Sequence, residues 1–174
     1  MKKKYTNIQE LCIIGLATAL ICVIAPFSLP LPLGVPMTLQ SFIIILTAVI
    51  LGAKRSATAT LIYVLLGSFG LPVFSNFTGG WQCLMGPTGG FILSFPIMAF
   101  VIGLGSSLWL GMLVGTLINY TCGVIMFCLV TESSLVVGIT TCVLPFIAFT
   151  IIECSLAFFI GVNVKKRINQ ITSG

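Results

Sequence analysis

Residues 74–92 read FSNFTGGWQCLMGPTGGFI. The segment holds two Gly-Gly pairs, an Asn, two Thr, a Gln and a Trp, and no charge, and it is wedged between two strongly apolar stretches. What such a segment does depends on where it sits relative to a membrane.

Outward from it the chain stays apolar: 58% of its residues are hydrophobic and 6% charged, against roughly 25% charged in an ordinary soluble domain. There is no His or Asp, and the acids are Glu10, Glu132 and Glu153. The apolar runs are continuous rather than alternating, which marks an all-α integral membrane protein. At roughly 20 residues per crossing, the chain has room for about six helices and no soluble domain. The expectation is one six-helix membrane domain over residues 1–174, with spans at about 8–26, 38–53, 56–70, 90–105, 108–130 and 136–164. The first run has a basic start and small residues like those of a signal peptide, but it continues past them, so a retained helix is expected.

The basic residues fall into three clusters: Lys2, Lys3 and Lys4; Lys54 and Arg55; Lys165, Lys166 and Arg167. Six crossings put all three on one side, which the positive-inside rule makes cytoplasmic. N- and C-terminus are then inside, and residues 27–37, 71–90 and 131–136 face outward. Spans two to four are short for a hydrocarbon core of about 30 Å. Irregular backbone at membrane depth is tolerated where it is buried in protein or lines a cavity. The links 27–37 and 71–90 are therefore expected to dip inward and roof a pocket open to the outside.

All of the 7 Cys but Cys83 lie in apolar runs and no C-x-x-C pair occurs, so they read as packing residues. No metal centre or cofactor is expected. GPTGG (86–90) lacks the Lys-Ser/Thr that must follow in a phosphate loop, which argues against nucleotide binding. A thiol oxidoreductase or lipid hydrolase would have almost no acid–base equipment beyond Glu153, and a structural subunit would need no pocket.

Glu153 lies deep in the last span, where an acid costs several kcal/mol unless protonated or partnered, so it is a functional candidate. The bland alternative is a protonated Glu bonded to a neighbouring helix. Thr150 shares its helix face and Phe146, Phe149 and Ala157 flank it. Pro145 is expected to kink or restart this helix. Gly111, Gly115, Asn119 and Gly123 recur every four residues and read as a packing seam that Asn119 can bond across. Gly15 and Ala19 form a smaller stripe on the first span, either an internal seam or a docking face for another subunit. In the loop, the uncharged groups Asn76, Thr78, Gln82 and Thr88 stand beside Phe74, Phe77, Trp81 and Phe91. Trp81 can also be read as an interface anchor. The mixture suits a small ligand with an apolar body and a few amide-like groups.

VPMTLQ (35–40), LLGSFGLPVF (65–74), GPTGGF (86–91) and LPF (144–146) together resemble the BioY family, the biotin-binding S-components of energy-coupling-factor (ECF) transporters. The resemblance covers nearly the whole chain and implies the six-helix S-component fold. It implies a high-affinity subunit for biotin uptake in a prokaryotic cell membrane, with no enzymatic activity of its own. Gly15 and Ala19 would dock on a transmembrane coupling subunit, and two partner ATPases would drive reorientation of the helical body. The expected substrate-binding residues are Gln40, Phe74, Asn76, Thr78 and Trp81, together with Thr88, Phe91, Tyr120, Thr150 and Glu153.

One departure stands out. The family's last helix usually carries an Asp and, one turn on, a Lys, both lining the pocket; here those positions hold Thr150 and Glu153. A charged Glu facing biotin's carboxylate would repel it, whereas a neutral one could donate a hydrogen bond. Two readings follow: biotin binds beside a protonated Glu153, or the substrate lacks a free carboxylate, as in an amide-linked biotin or another vitamin.

Overall fold

The computed structural model describes residues 7–29, 37–105 and 107–173. Lys2, Lys3, Lys4, Tyr5 and most of the Pro-rich link (30–36) lie outside the described residues. The elements run α1 (Asn7–Ile24), β1 (Ser28–Leu29), β2 (Met37–Thr38), α2 (Gln40–Leu51), α3 (Ala53–Ser68), a 3₁₀ turn (Ser75–Phe77), α4 (Trp81–Met85), α5 (Gly89–Gly103), α6 (Leu108–Thr131), α7 (Leu135–Cys142) and α8 (Leu144–Ser173). β1 and β2 pair antiparallel across the first link. Helices α1, α6 and α8 are long and apolar enough to cross a membrane, and α2 and α5 are shorter apolar helices.

One feature differs from the sequence expectation: the polar segment contains a helix of its own, α4, entered through Gly80 and left through Gly86. The restart expected at Pro145 occurs, and it divides the last apolar run into two helices: α7 ends at Cys142 and the chain turns at Val143 before α8 begins. Pro145 falls in the first turn of α8, where its missing N–H leaves no helical bond unmade.

Helix α5 is central, packed against α2, α3 and α6; α1 lies on α3, and α8 lies on α2. Large apolar side chains such as Leu11, Leu16, Leu20 and Val23 of α1 point outward. The inner seams use small and polar residues, as expected where lipid removes the hydrophobic drive between helices. Gly111, Gly115 and Gly123 of α6 all face α5. Between them Asn119 donates to the Phe91 carbonyl at 3.0 Å and to Ser94 Oγ at 2.9 Å. Buried hydroxyls bond back to their own helix, as Thr47 does to the Ile43 carbonyl and Thr60 to the Ser56 carbonyl. Thr18 and Ser56 also reach across, to the carbonyls of Ala59 and Ala99.

Gly52 turns α2 into α3 at φ +78°, a left-handed conformation that glycine adopts without penalty. At this end Arg55 Nε lies 3.1 Å from Glu10 Oε1 of α1, and Lys165 Nζ donates to the Val49 carbonyl at 3.3 Å. The basic residues of α3 and α8 thus gather at one end of the bundle. At the other end the two links are stitched together. The Asn76 N–H donates to the Pro26 carbonyl at 3.0 Å, Ser28 Oγ donates to Asn76 Oδ1 at 2.8 Å, and Phe27 meets Phe77 edge-on at 5.6 Å.

Candidate ligand-binding site

Below these stitched links a cavity of about 740 Å³, counting its open mouth, lies between α2, α5, α6 and α8. Each helix contributes one face at helical spacing: Gln40, Ser41 and Ile45 from α2; Phe91, Ile92, Phe95 and Met98 from α5; Thr116, Asn119 and Tyr120 from α6; Phe146, Phe149, Thr150 and Glu153 from α8. Thr38, Ser75 and Thr88 enter from the links, and Cys142 from the end of α7.

The polar groups of the wall are held in place by one another. Glu153 is 3% exposed, and its two carboxyl oxygens lie 3.0 and 2.8 Å from Ser41 Oγ. The Phe42 backbone N–H lies beside the same carboxyl. Gln40 Nε2 donates to the Tyr63 hydroxyl at 2.7 Å, which donates in turn to the Val73 carbonyl at 3.1 Å. Tyr120 and Thr150 share a hydrogen bond between their hydroxyls across the α6–α8 gap. Thr116 Oγ1 is buried with no hydrogen-bond partner among the described residues, the Cys154 thiol being its neighbour. Buried polar atoms are seldom left unpaired, and this one stands behind the wall rather than on it, although the rest of Thr116 lines the cavity.

Gln40, Thr88, Phe91, Tyr120, Thr150 and Glu153 meet in this cavity. Phe74, Asn76, Thr78 and Trp81 stand outside its wall. Phe74 is buried under the roof, edge-on to Tyr63 at 5.6 Å and seated against Gly67. Asn76 stitches the links, Thr78 Oγ1 donates to the Ser75 carbonyl at 2.8 Å, and Trp81 is 62% exposed. Sequence reasoning missed Ser41, Phe95, Met98 and Thr116, and read Asn119 only as a seam residue. Helical spacing from residues already singled out would have found three: Phe95 and Met98 lie four and seven positions after Phe91, and Thr116 lies four before Tyr120. Gly15 and Ala19 are exposed one turn apart on α1, and a Cβ on Gly15 would meet nothing within 4 Å. The internal contacts of α1 come instead from Ala17, Thr18 and Ile21.

The model of the BioY family matches residues 1–170. The chain belongs to the BioY family. It is 41% identical to the biotin transporter BioY of Thermotoga maritima, over 91% of this chain and 96% of that one. It is 37% identical to the probable biotin transporter BioY of Pyrococcus horikoshii, over 90% and 96%. Its fold matches the crystal structure of the S-component for biotin from an ECF-type ABC transporter. The TM-score there is 0.83 with 22% sequence identity, covering 94% of this chain and 95% of that one. This BioY family member is a multi-pass helical membrane protein.

Proposed function

We propose that this chain is the biotin-binding membrane subunit of an ATP-driven ECF-type vitamin transporter. The cavity carries the reading. Uncharged hydrogen-bonding groups (Gln40, Thr88, Asn119, Tyr120, Thr150) stand among Phe91, Phe95, Met98, Phe146 and Phe149. A ureido ring with N–H donors and a carbonyl, fused to an apolar bicycle with an aliphatic arm, is what such a set can hold. Family membership and relatives named biotin transporters support the same assignment.

In this reading the chain crosses a prokaryotic cell membrane six times, with both termini cytoplasmic. The gathering of Arg55 and Lys165 at one end of the bundle supports that orientation. Gly15 and Ala19 are the docking stripe for a transmembrane coupling subunit. Catalysis is left to two partner ATPases, and the whole helical body reorients to release its ligand inward.

Glu153 in the wall favours a second reading, a ligand whose carboxylate is masked. An ionised acid about 4 Å from another costs about 4 kcal/mol at an effective dielectric of about 20, roughly a thousandfold in affinity. At about 10 Å the cost falls to about 1.7 kcal/mol, roughly 20-fold. Calorimetric titration of the detergent-purified chain with biotin and with its carboxamide therefore tests both readings. Tight biotin binding, with the carboxamide at most about 20-fold tighter, supports the assignment. Carboxamide binding without biotin binding selects the masked ligand, and no binding of either refutes both.

A further inference from the structure

The start of helix α2 lacks the groups that usually satisfy a helix end: its N-cap position is Leu39, which makes no side-chain cap, and its first turn has no acid. At the other end Gly52 caps one carbonyl, that of Ala48, and the last turn has no base. Four N–H groups at the start of a helix and four carbonyls at its end have no partner within it, and the helix dipole favours an anion at the first end and a cation at the second.

Helix α8 supplies both from outside. Glu153, Ala157, Gly161 and Lys165 recur at every fourth position and so share one ridge of α8. Glu153 bonds Ser41 in the first turn of α2, with the Phe42 N–H beside the same carboxyl, while Lys165 bonds the Val49 carbonyl in the last turn. Between them Ala157 is fully buried, and a Cβ on Gly161 would come within 2.6 Å of Val49. The contacts lie 12 positions apart on α8 (165 − 153) and 8 apart on α2 (49 − 41), about 18 and 12 Å of helix, and the long Lys165 side chain spans the difference. The two helices run parallel, so the acid meets the positive end and the base the negative one.

We propose that Glu153 is a positioning residue: its carboxyl caps α2 from across the α2–α8 seam and fixes Gln40 and Ser41, the first two residues of α2, in the wall of the biotin cavity. Lys165 caps the opposite end of the same helix, away from the ligand. The positioning role rests on the cavity being the ligand site; the cap itself does not.

The test compares Glu153→Ala, Glu153→Gln and Lys165→Met in purified protein. It measures the ligand-free unfolding midpoint and the affinity for biotin, or for its carboxamide if wild type binds only that. Glu153→Gln, whose amide oxygen still accepts from Ser41 and whose lost charge only relieves repulsion of a carboxylate, should keep the midpoint and bind no more than a few-fold weaker than wild type. Glu153→Ala, equally uncharged, should lower the midpoint by several degrees and bind about 10- to 100-fold weaker than Glu153→Gln, one to two factors of ten at about 1.4 kcal/mol each. Lys165→Met should lower the midpoint and leave affinity unchanged. Lost affinity with an unchanged midpoint in Glu153→Ala would make Glu153 a plain ligand contact. A lowered midpoint with unchanged affinity would make it a cap that positions nothing. Either result overturns the proposal, as does a Glu153→Gln midpoint as low as that of Lys165→Met, which remains readable if the alanine variant does not fold. The midpoints need no ligand, so a wild type that binds neither compound removes the biotin reading and the positioning role while still judging the cap.

Discussion

A methyl group on Gly123 would land on the ring of Phe91, well inside van der Waals contact. The ring end of a side chain can yield where backbone cannot, and Phe91 lines the cavity. Gly123→Ala is therefore expected to push the ring into the space meant for ligand. Alanine gains about 1 kcal/mol over glycine in a helix, and overpacking costs about 1–3 kcal/mol. Ligand-free stability should then change by no more than about 2 kcal/mol. Binding must drive the ring back against that same strain, so biotin affinity should fall by about 5- to 150-fold at about 1.4 kcal/mol per factor of ten. Calorimetric titration of biotin, with ligand-free thermal unfolding alongside, reads both quantities. Adding Phe91→Leu shortens the side chain and should return part of the lost affinity. Wild-type binding by Gly123→Ala, or a loss that Phe91→Leu leaves untouched, would refute the reasoning.

Asn119→Ala removes two bonds across the α5–α6 seam. At about 0.6 kcal/mol each on average in membrane proteins, and up to about 1.7, it should destabilise the ligand-free protein by about 1–2 kcal/mol in an unfolding titration; no change would credit the glycines alone. Tyr120→Phe and Thr150→Val break one shared bond, so a double-mutant cycle on stability should give a coupling of about 0.6–1.7 kcal/mol, and strict additivity would rule the bond out. Gly15→Leu fills a surface where nothing lies within 4 Å of the added Cβ. It should abolish co-purification with the coupling subunit, and intact assembly would put docking elsewhere.

The six apolar runs and the Pro- and Gly-rich breaks between them made most of the fold legible, because the bilayer leaves few ways to bury a backbone. The break at Val143 was legible only through Pro145, which signalled a restart two residues on; residues 136–164 otherwise read as one run. On α8, Phe149, Thr150 and Glu153 could be placed on one face from their spacing. Ser41 could not be found that way: its partner Glu153 lies 112 residues away in sequence, and no local pattern encodes such a pairing. Asn119 was legible as a seam residue but not as cavity wall, because one side chain at the rim of a seam serves both. Lys165 was legible as a topology signal, yet its bond to Val49 depends on how α8 lies against α2.

Composition misleads most in the segment 74–92. A hydrogen-bonding side chain beside aromatics suits a ligand, but it also suits a loop that must satisfy its own backbone where water is scarce. This loop does the latter through most of its length: the Phe74 N–H donates to the Thr78 carbonyl at 2.9 Å, and Gln82 Nε2 to the Gly79 carbonyl at 2.9 Å. Asn76 spends its backbone N–H and side-chain oxygen on the neighbouring link. The helix residues below are bonded to one another as well, so what separates them is placement: they line the cavity and the middle of the loop does not. The segment's residues on the cavity sit near its ends, Ser75 on one side and Thr88, Phe91 and Ile92 on the other. Recognition therefore belongs to the four helix faces and to the roots of the loop, while the middle of the loop holds the roof together.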